Sequence, residues 1–248
     1  MVMRLVCRAS AVKGGGDMNI TVPFLVESPG EGLERAAPVQ GSPVAYQMRA
    51  MSFVSIGATF RPEVVAAMLP RNLTACDGCS GGFLVALARE GHVLAPFSIG
   101  HVWFDVTGHD GTAGPGRYLP KHFGSSSGGV NAAGRASLSC CARITDCPDQ
   151  VVAQLDRADA PALRLSVRSR SNWTSCAGID YSITGGDIPR PATRLIITPW
   201  AAEWSDADPQ TVEILSPEWA DLRPVSLTWA AIGRQGAMTL GLSAPLST

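Results

Sequence analysis

The chain is nearly empty of lysine. Among its 248 residues only Lys13 and Lys121 carry an amine side chain, and the other 18 of its 20 basic residues are arginine. Acidic and basic residues almost cancel, to a formal net charge of −1. This excludes a general electrostatic attraction to nucleic acid or acidic membrane. No apolar run reaches the length of a membrane span. No phosphate-binding glycine loop, dinucleotide fingerprint, nucleophile elbow or paired zinc-histidine motif occurs, and "SSSGG" (125–129) lacks the strand-and-lysine context of a phosphate loop. The seven cysteines form no regular framework, and their odd number fits a reduced, cytoplasmic setting. "CDGC" (76–79) is one CxxC pair, two ligands short of a tetrahedral zinc site, and reads as a turn with incidental thiols. No metal or cofactor is expected.

What is present is a globular chain, 46% hydrophobic and 17% charged, with one substantial core. Residues 1–45 read as a lead-in and 46–248 as a single domain. "KGGGD" (13–17) would be encoded by purine-rich codons like those of a ribosome-binding site. Met18 is therefore a candidate start, which would leave Lys121 as the sole lysine. The first 17 residues hold no apolar stretch long enough for a secretory signal.

"RPEVVAAMLP" (61–70) predicts a helix, with proline at the first position, glutamate in the first turn and a proline stop. A second short helix is predicted at 128–133. Alternating or β-rich segments predict strands at 82–88, 96–107, 117–123, 136–145, 162–170, 193–198, 211–215 and 224–231, separated by glycine- and proline-rich turns. Many strands, few helices and no βαβ rhythm predict a mainly β, antiparallel domain with a few peripheral helices.

The order of these elements carries a resemblance. "ATFRPEVVAAMLPRNL", then "GRYLPKHFGSSSGGVNAAGR", then "TRLIITPW" and "RPVSLTWAAIGRQGAMTLG" follow one another as in the acetoacetate decarboxylase family, from about Ser52 to Leu242. The resemblance implies a cone-like antiparallel sheet around a pocket, a homo-oligomer, and a small-molecule carbonyl substrate. In that family a lysine forms a Schiff base with a β-keto acid, and the imine accepts the electrons released as CO₂ departs. That lysine belongs to Gly-Arg-Glu followed by Pro-Lys-Lys. Here the segment reads "GRASLSCCA" (134–142), with Ala136 for the glutamate and no lysine. The family's Tyr-x-Glu falls near "FSIG" (97–100), where no acid stands.

With both groups gone, other residues must carry any chemistry. Phe97, Ile99, His101, Trp103 and Asp105 alternate onto one face of their strand, which is expected to line the pocket. His101 is the leading acid–base candidate, since imidazole titrates near neutrality. On strand 117–123 strict alternation puts Leu119, Lys121 and Phe123 on one side and Tyr118, Pro120 and His122 on the other. Either Lys121 or His122 then faces inward. Arg49 and Arg135 are candidates for holding a carboxylate or enolate oxygen, and Tyr118 for lining the pocket. Cys140 and Cys141, near the lost lysine position, are expected to be inert thiols.

Three functions fit these residues. The first is a cofactor-independent enzyme that cyclises, dehydrates or isomerises a polyketide-like or β-dicarbonyl intermediate in bacterial secondary metabolism. The second is a Schiff-base decarboxylase or aldolase-type lyase using Lys121. The third is a non-catalytic small-molecule-binding protein.

Overall fold

A computed structural model describes residues 46–91, 97–107, 116–125, 140–157, 160–184, 194–240 and 244–245. Its elements run β1 (Tyr46–Thr59), α1 (Pro62–Met68), β2 (Thr74–Ala75), β3 (Ser80–Gly91), β4 (Phe97–Thr107), β5 (Gly116–Ser125), β6 (Cys140–Cys147), β7 (Gln150–Arg157), β8 (Ala160–Ser169), β9 (Thr174–Thr184), β10 (Arg194–Ile214), β11 (Ser226–Leu240) and β12 (Ala244–Pro245). Short 3₁₀ turns lie at Asp77–Cys79 and Pro217–Leu222.

The strands form one sheet in the order β11-β1-β3-β4-β5-β9-β10-β8-β7-β6, and an additional β10–β11 pairing turns the path back on itself. The pairings are antiparallel except for a two-residue parallel contact between β5 and β9. β10 holds the sheet together. Its first half pairs β9 and β11, and its second half pairs β8, so one strand joins both parts.

α1 begins where the sequence places it. Arg61 is extended, Pro62 fixes the first helical φ, and Glu63 lies in the first turn. The helix lasts two turns and tucks Val65 into the core. "CDGC" makes a tight turn, with Gly78 at φ +73° and the Cys79 N–H donating to the Cys76 carbonyl. The segments 193–198 and 211–215, read as two strands, are the ends of the single strand β10. The pieces 128–133 and 134–139 lie outside the described residues.

Two apolar clusters sit on opposite faces of β1, β3 and β4. The larger gathers Val54, Ile56, Phe83, Val85, Val102 and Phe104 against Leu155, Leu163, Leu165 and Val167 of β7 and β8. β6 docks on this same face, where the Ala142 N–H donates to Ser98 Oγ at 2.9 Å. The smaller cluster holds Met48, Met51, Phe53, Ala86, Phe97, Ile99 and Ala202, with Trp200 and Trp204 against it. His101 stands on this second face.

Candidate functional site

Pairing register fixes what surrounds His101. Directly opposed residues in antiparallel strands point to the same side, and residues two apart along a strand share a face about 6.6 Å apart. Three parallel rows result. Trp204, Gly233, Phe53, Ala86 and Ile99 make the first. Asp206, Ala231, Ser55, Leu84, His101 and His122 make the second. Trp229, Gly57, Gly82 and Trp103 make the third.

The glycines in these rows make room for rings. A Cβ on Gly57 would stand 2.1 Å from Trp229 Nε1, one on Gly82 2.5 Å from the Trp103 ring, and one on Gly233 2.0 Å from the Phe53 ring. Side-chain-free backbone thus lets three aromatic rings lie down on the sheet. The Trp103 and Trp229 rings are 6.3 Å apart, and Trp200 and Trp204 stack at 5.8 Å.

The two histidines are cross-strand partners. Their rings lie 5.9 Å apart and inclined by 29°, and Trp103 meets His101 edge-on at 5.9 Å. His101 is 7% exposed, and its Nδ1 has no hydrogen-bond partner among the described residues. A buried polar atom left unpaired is costly in a stable fold and calls for a reason. His101 is held well below the ordinary histidine range, first by burial, then by His122 and by the charge of Arg117. His122 is an exposed residue, and desolvation by the surrounding protein lowers it to about 4. Both imidazoles are therefore neutral near pH 7, each with one donor and one acceptor nitrogen.

Lys121 is on the other face. It opposes Val102, while Phe104 opposes Tyr118, so the register shifts within this stretch and Leu119 and Pro120 both fall opposite Trp103. The strict alternation expected for 117–123 is corrected by this bulge. Tyr118, Lys121 and Phe123 share the Val102 face, where Tyr118 is buried in the larger cluster and Phe123 stacks on Trp219 at 4.9 Å. Tyr118 therefore does not stand beside His101.

Arg49 is also kept away from the histidines. Ala50 has a left-handed φ of 49°, which flips the alternation, so Met48 joins Met51 on the second face and Arg49 is exposed. Phe97, Ile99 and Trp103 do share the His101 face, 3%, 5% and 1% exposed. Arg135 lies outside the described residues. Cys140 is buried in the larger cluster, on the face opposite His101, and Cys141 is exposed.

Arg117 and Asp105 are site residues that the sequence reading did not single out together. The Arg117 guanidinium lies 4.8 Å over the Trp103 ring, and Trp103 Nε1 donates to Asp105 Oδ1 at 3.1 Å. Arg117 and Asp105 oppose each other in register. The signal was available, since Asp105 falls on the His101 face of its strand and Arg117 starts the next one. Only the bulge, which sequence does not announce, brings Arg117 round to the same side.

No family model and no curated protein matches the sequence. Solved structures do match its fold. Acetoacetate decarboxylase from Legionella pneumophila aligns with a TM-score of 0.62 at 12% identity, covering 90% of this chain and 98% of that one. The enduracididine biosynthesis enzyme MppR, complexed with pyruvate, aligns at 0.55 and 12% identity over 87% and 94% of the two chains. An acetoacetate decarboxylase-like enzyme from Sphingomonas wittichii RW1 aligns at 0.52 and 12% identity over 82% and 93%. The mainly β sheet is thus an acetoacetate decarboxylase-like fold. At these identities the likeness defines the architecture and leaves the chemistry to the residues present.

Proposed function

We propose that the protein is a cofactor-independent lyase or cyclase/isomerase, acting on a polyketide-like or β-dicarbonyl compound by proton transfer through His101 and His122. The observation that carries this reading is the buried His101 ring, its Nδ1 unpaired among the described residues, stacked beside a second neutral imidazole in an aromatic setting. A weakly basic imidazole suits an acidic carbon, such as one between two carbonyls. One ring takes the α-proton, the C–H electron pair becomes an enolate, and the other ring's N–H donates to the enolate oxygen. In isomerisation the imidazolium returns its proton to a different carbon. In dehydration a β-hydroxyl takes that proton and leaves as water. In cyclisation the carbon attacks a second carbonyl, whose oxygen takes the proton. That MppR is seen with pyruvate, and with the condensation product of pyruvate and imidazole 4-carboxaldehyde, supports carbonyl chemistry on this architecture.

The Schiff-base reading has less support. Lys121 and the histidine pair face opposite sides of β5, so an imine at Lys121 would lack these rings as proton partners. Exchange of α-protons of a 3-oxo ester in D₂O, followed by NMR, tests the preferred reading. The wild type should accelerate exchange, and His101→Ala should lower the rate by about 10² or more. An unchanged rate in a folded His101→Ala protein would return His101 to a packing role.

A further inference from the structure

Much of the surface around the histidines is indole, and the charged groups among the indoles are already engaged. We infer that the site takes an uncharged ligand carrying an aromatic ring, the ring laid against Trp229 while a carbonyl end reaches His101. This rests on the proposed acid–base role for the carbonyl end, but the selection it describes is one of binding alone.

Shape comes first. Trp200, Trp204 and Trp229 are half-buried, whereas Ser55 and Ala231, in the row between Trp204 and Trp229, are 5% and 0% exposed. Among the described residues, a ligand on this face therefore meets ring surface together with Leu84 and His122. Gly57 fixes how Trp229 lies, since a Cβ at that position would stand 2.1 Å from the indole nitrogen. Trp103 joins the two ends of the site, its ring 5.9 Å from that of His101 and 6.3 Å from that of Trp229. An aryl group attached to a carbonyl spans such a gap. A rigid, flat wall favours a planar ring over a puckered saturated one.

Charge comes second, and it favours a neutral ligand. Asp105 Oδ1 accepts from Trp103 Nε1 at 3.1 Å, and Asp206 Oδ1 from Trp204 Nε1 at 3.2 Å. Arg117 lies over the Trp103 ring and opposes Asp105 in the ladder, while Asp206 shares the His101 row. Charges of both signs are thus tied to the indoles, and neither sign prevails to select an ion. A charged ligand would give up its hydration here without a dedicated counter-charge.

Three probes separate ring, bulk and charge: 1-phenylbutane-1,3-dione, 1-cyclohexylbutane-1,3-dione and acetoacetate. Binding is read by calorimetry on the whole chain. The phenyl diketone should bind about fivefold more tightly than the cyclohexyl one, the gain expected of one aromatic pair, and acetoacetate more weakly than either. Trp229→Leu keeps apolar bulk without the flat ring, and should bring the phenyl-to-cyclohexyl ratio close to one. Gly57→Ala, which displaces the indole from its seat, should lower the ratio as well. A cyclohexyl affinity equal to or above the phenyl one would overturn the inference, as would no binding of the phenyl diketone or tightest binding of acetoacetate. An unchanged ratio in folded Trp229→Leu would overturn it too. Should Trp229→Leu fail to fold, the wild-type ratio and Gly57→Ala decide. A phenyl preference without α-proton exchange would sustain this inference and sink the proposed reaction. Exchange without the preference would do the reverse.

Discussion

β4 and β5 present two faces made from alternate residues of the same strands, and the two could hardly differ more. The Val102 face is sealed: Val102, Phe104 and Val106 are 0% exposed, and Leu155 fills the space over Gly100. The His101 face carries His101, Trp103, Asp105, Arg117 and His122, with Trp200, Trp204 and Trp229 only half-buried around them. Of the chain's six tryptophans, the two remaining, Trp173 and Trp219, pack against the larger cluster. A two-residue period thus separates an apolar packing face from one that joins buried Phe97, Ile99 and Trp103 to polar and titratable side chains, without any change of element.

Breaking the sealed face should have the largest effect. Phe104 meets Phe60 edge-on at 5.1 Å and is wholly enclosed. Phe104→Ala should cost about 3–5 kcal/mol, read as a shift of the urea midpoint. His122→Ala, at an exposed position opposite His101 on the adjacent strand, should stay within about 0.5 kcal/mol at neutral pH. Comparable losses would mean that both faces share the structural load.

The next effect sharpens the comparison through pH. An unfolded histidine titrates near 6.5, whereas His122 in the fold is lowered to about 4 and His101 lies well below 6.5. Between these values the unfolded chain binds more protons than the native one, so stability rises with pH. The contribution is complete above pH 6.5 and is lost as pH falls towards 4. Urea midpoints at pH 7.5, 6 and 5 should decline, and His101→Asn/His122→Asn should flatten that decline. A slope unaltered by the double substitution would show that the imidazoles are not the groups responsible.

How much of this was legible in sequence depended on which face a residue served. α1 announced itself through Pro62, Glu63 and Pro70, and β4 through a run rich in Phe, Ile, Val and Trp, so both lie within a residue or two of their expected bounds. β10 did not, because "SDADPQ" (205–210) reads as a loop. Within the sheet Asp206 accepts from Trp204 Nε1, Asp208 pairs with Arg170, and Pro209 sits at a register shift, so each turn-like residue is accommodated. The site was half legible for the same kind of reason. His101 followed from period two, whereas Arg117, Tyr118 and Arg49 depended on a bulge and on the left-handed Ala50, and neither feature is encoded by a glycine.

Lys121 should give the smallest effect, and its silence is the sharpest test of the two faces. Its rarity suggests a purpose, but rarity in an arginine-rich chain follows from composition. Position speaks against catalysis by the histidine pair's neighbour: Lys121 opposes Val102, and its same-face companions Tyr118 and Phe123 belong to the larger cluster or pack on it. An imine there would have to complete its proton transfers across the sheet from His101 and His122, beyond the reach of a hydrogen bond. Lys121→Arg and Lys121→Met should therefore leave α-proton exchange within about twofold of wild type, whereas one misplaced catalytic group would cost about 10². Borohydride added with a carbonyl probe should yield no probe-sized adduct on Lys121. Dead variants together with such an adduct would move the chemistry to the Val102 face and make the histidine face the structural one.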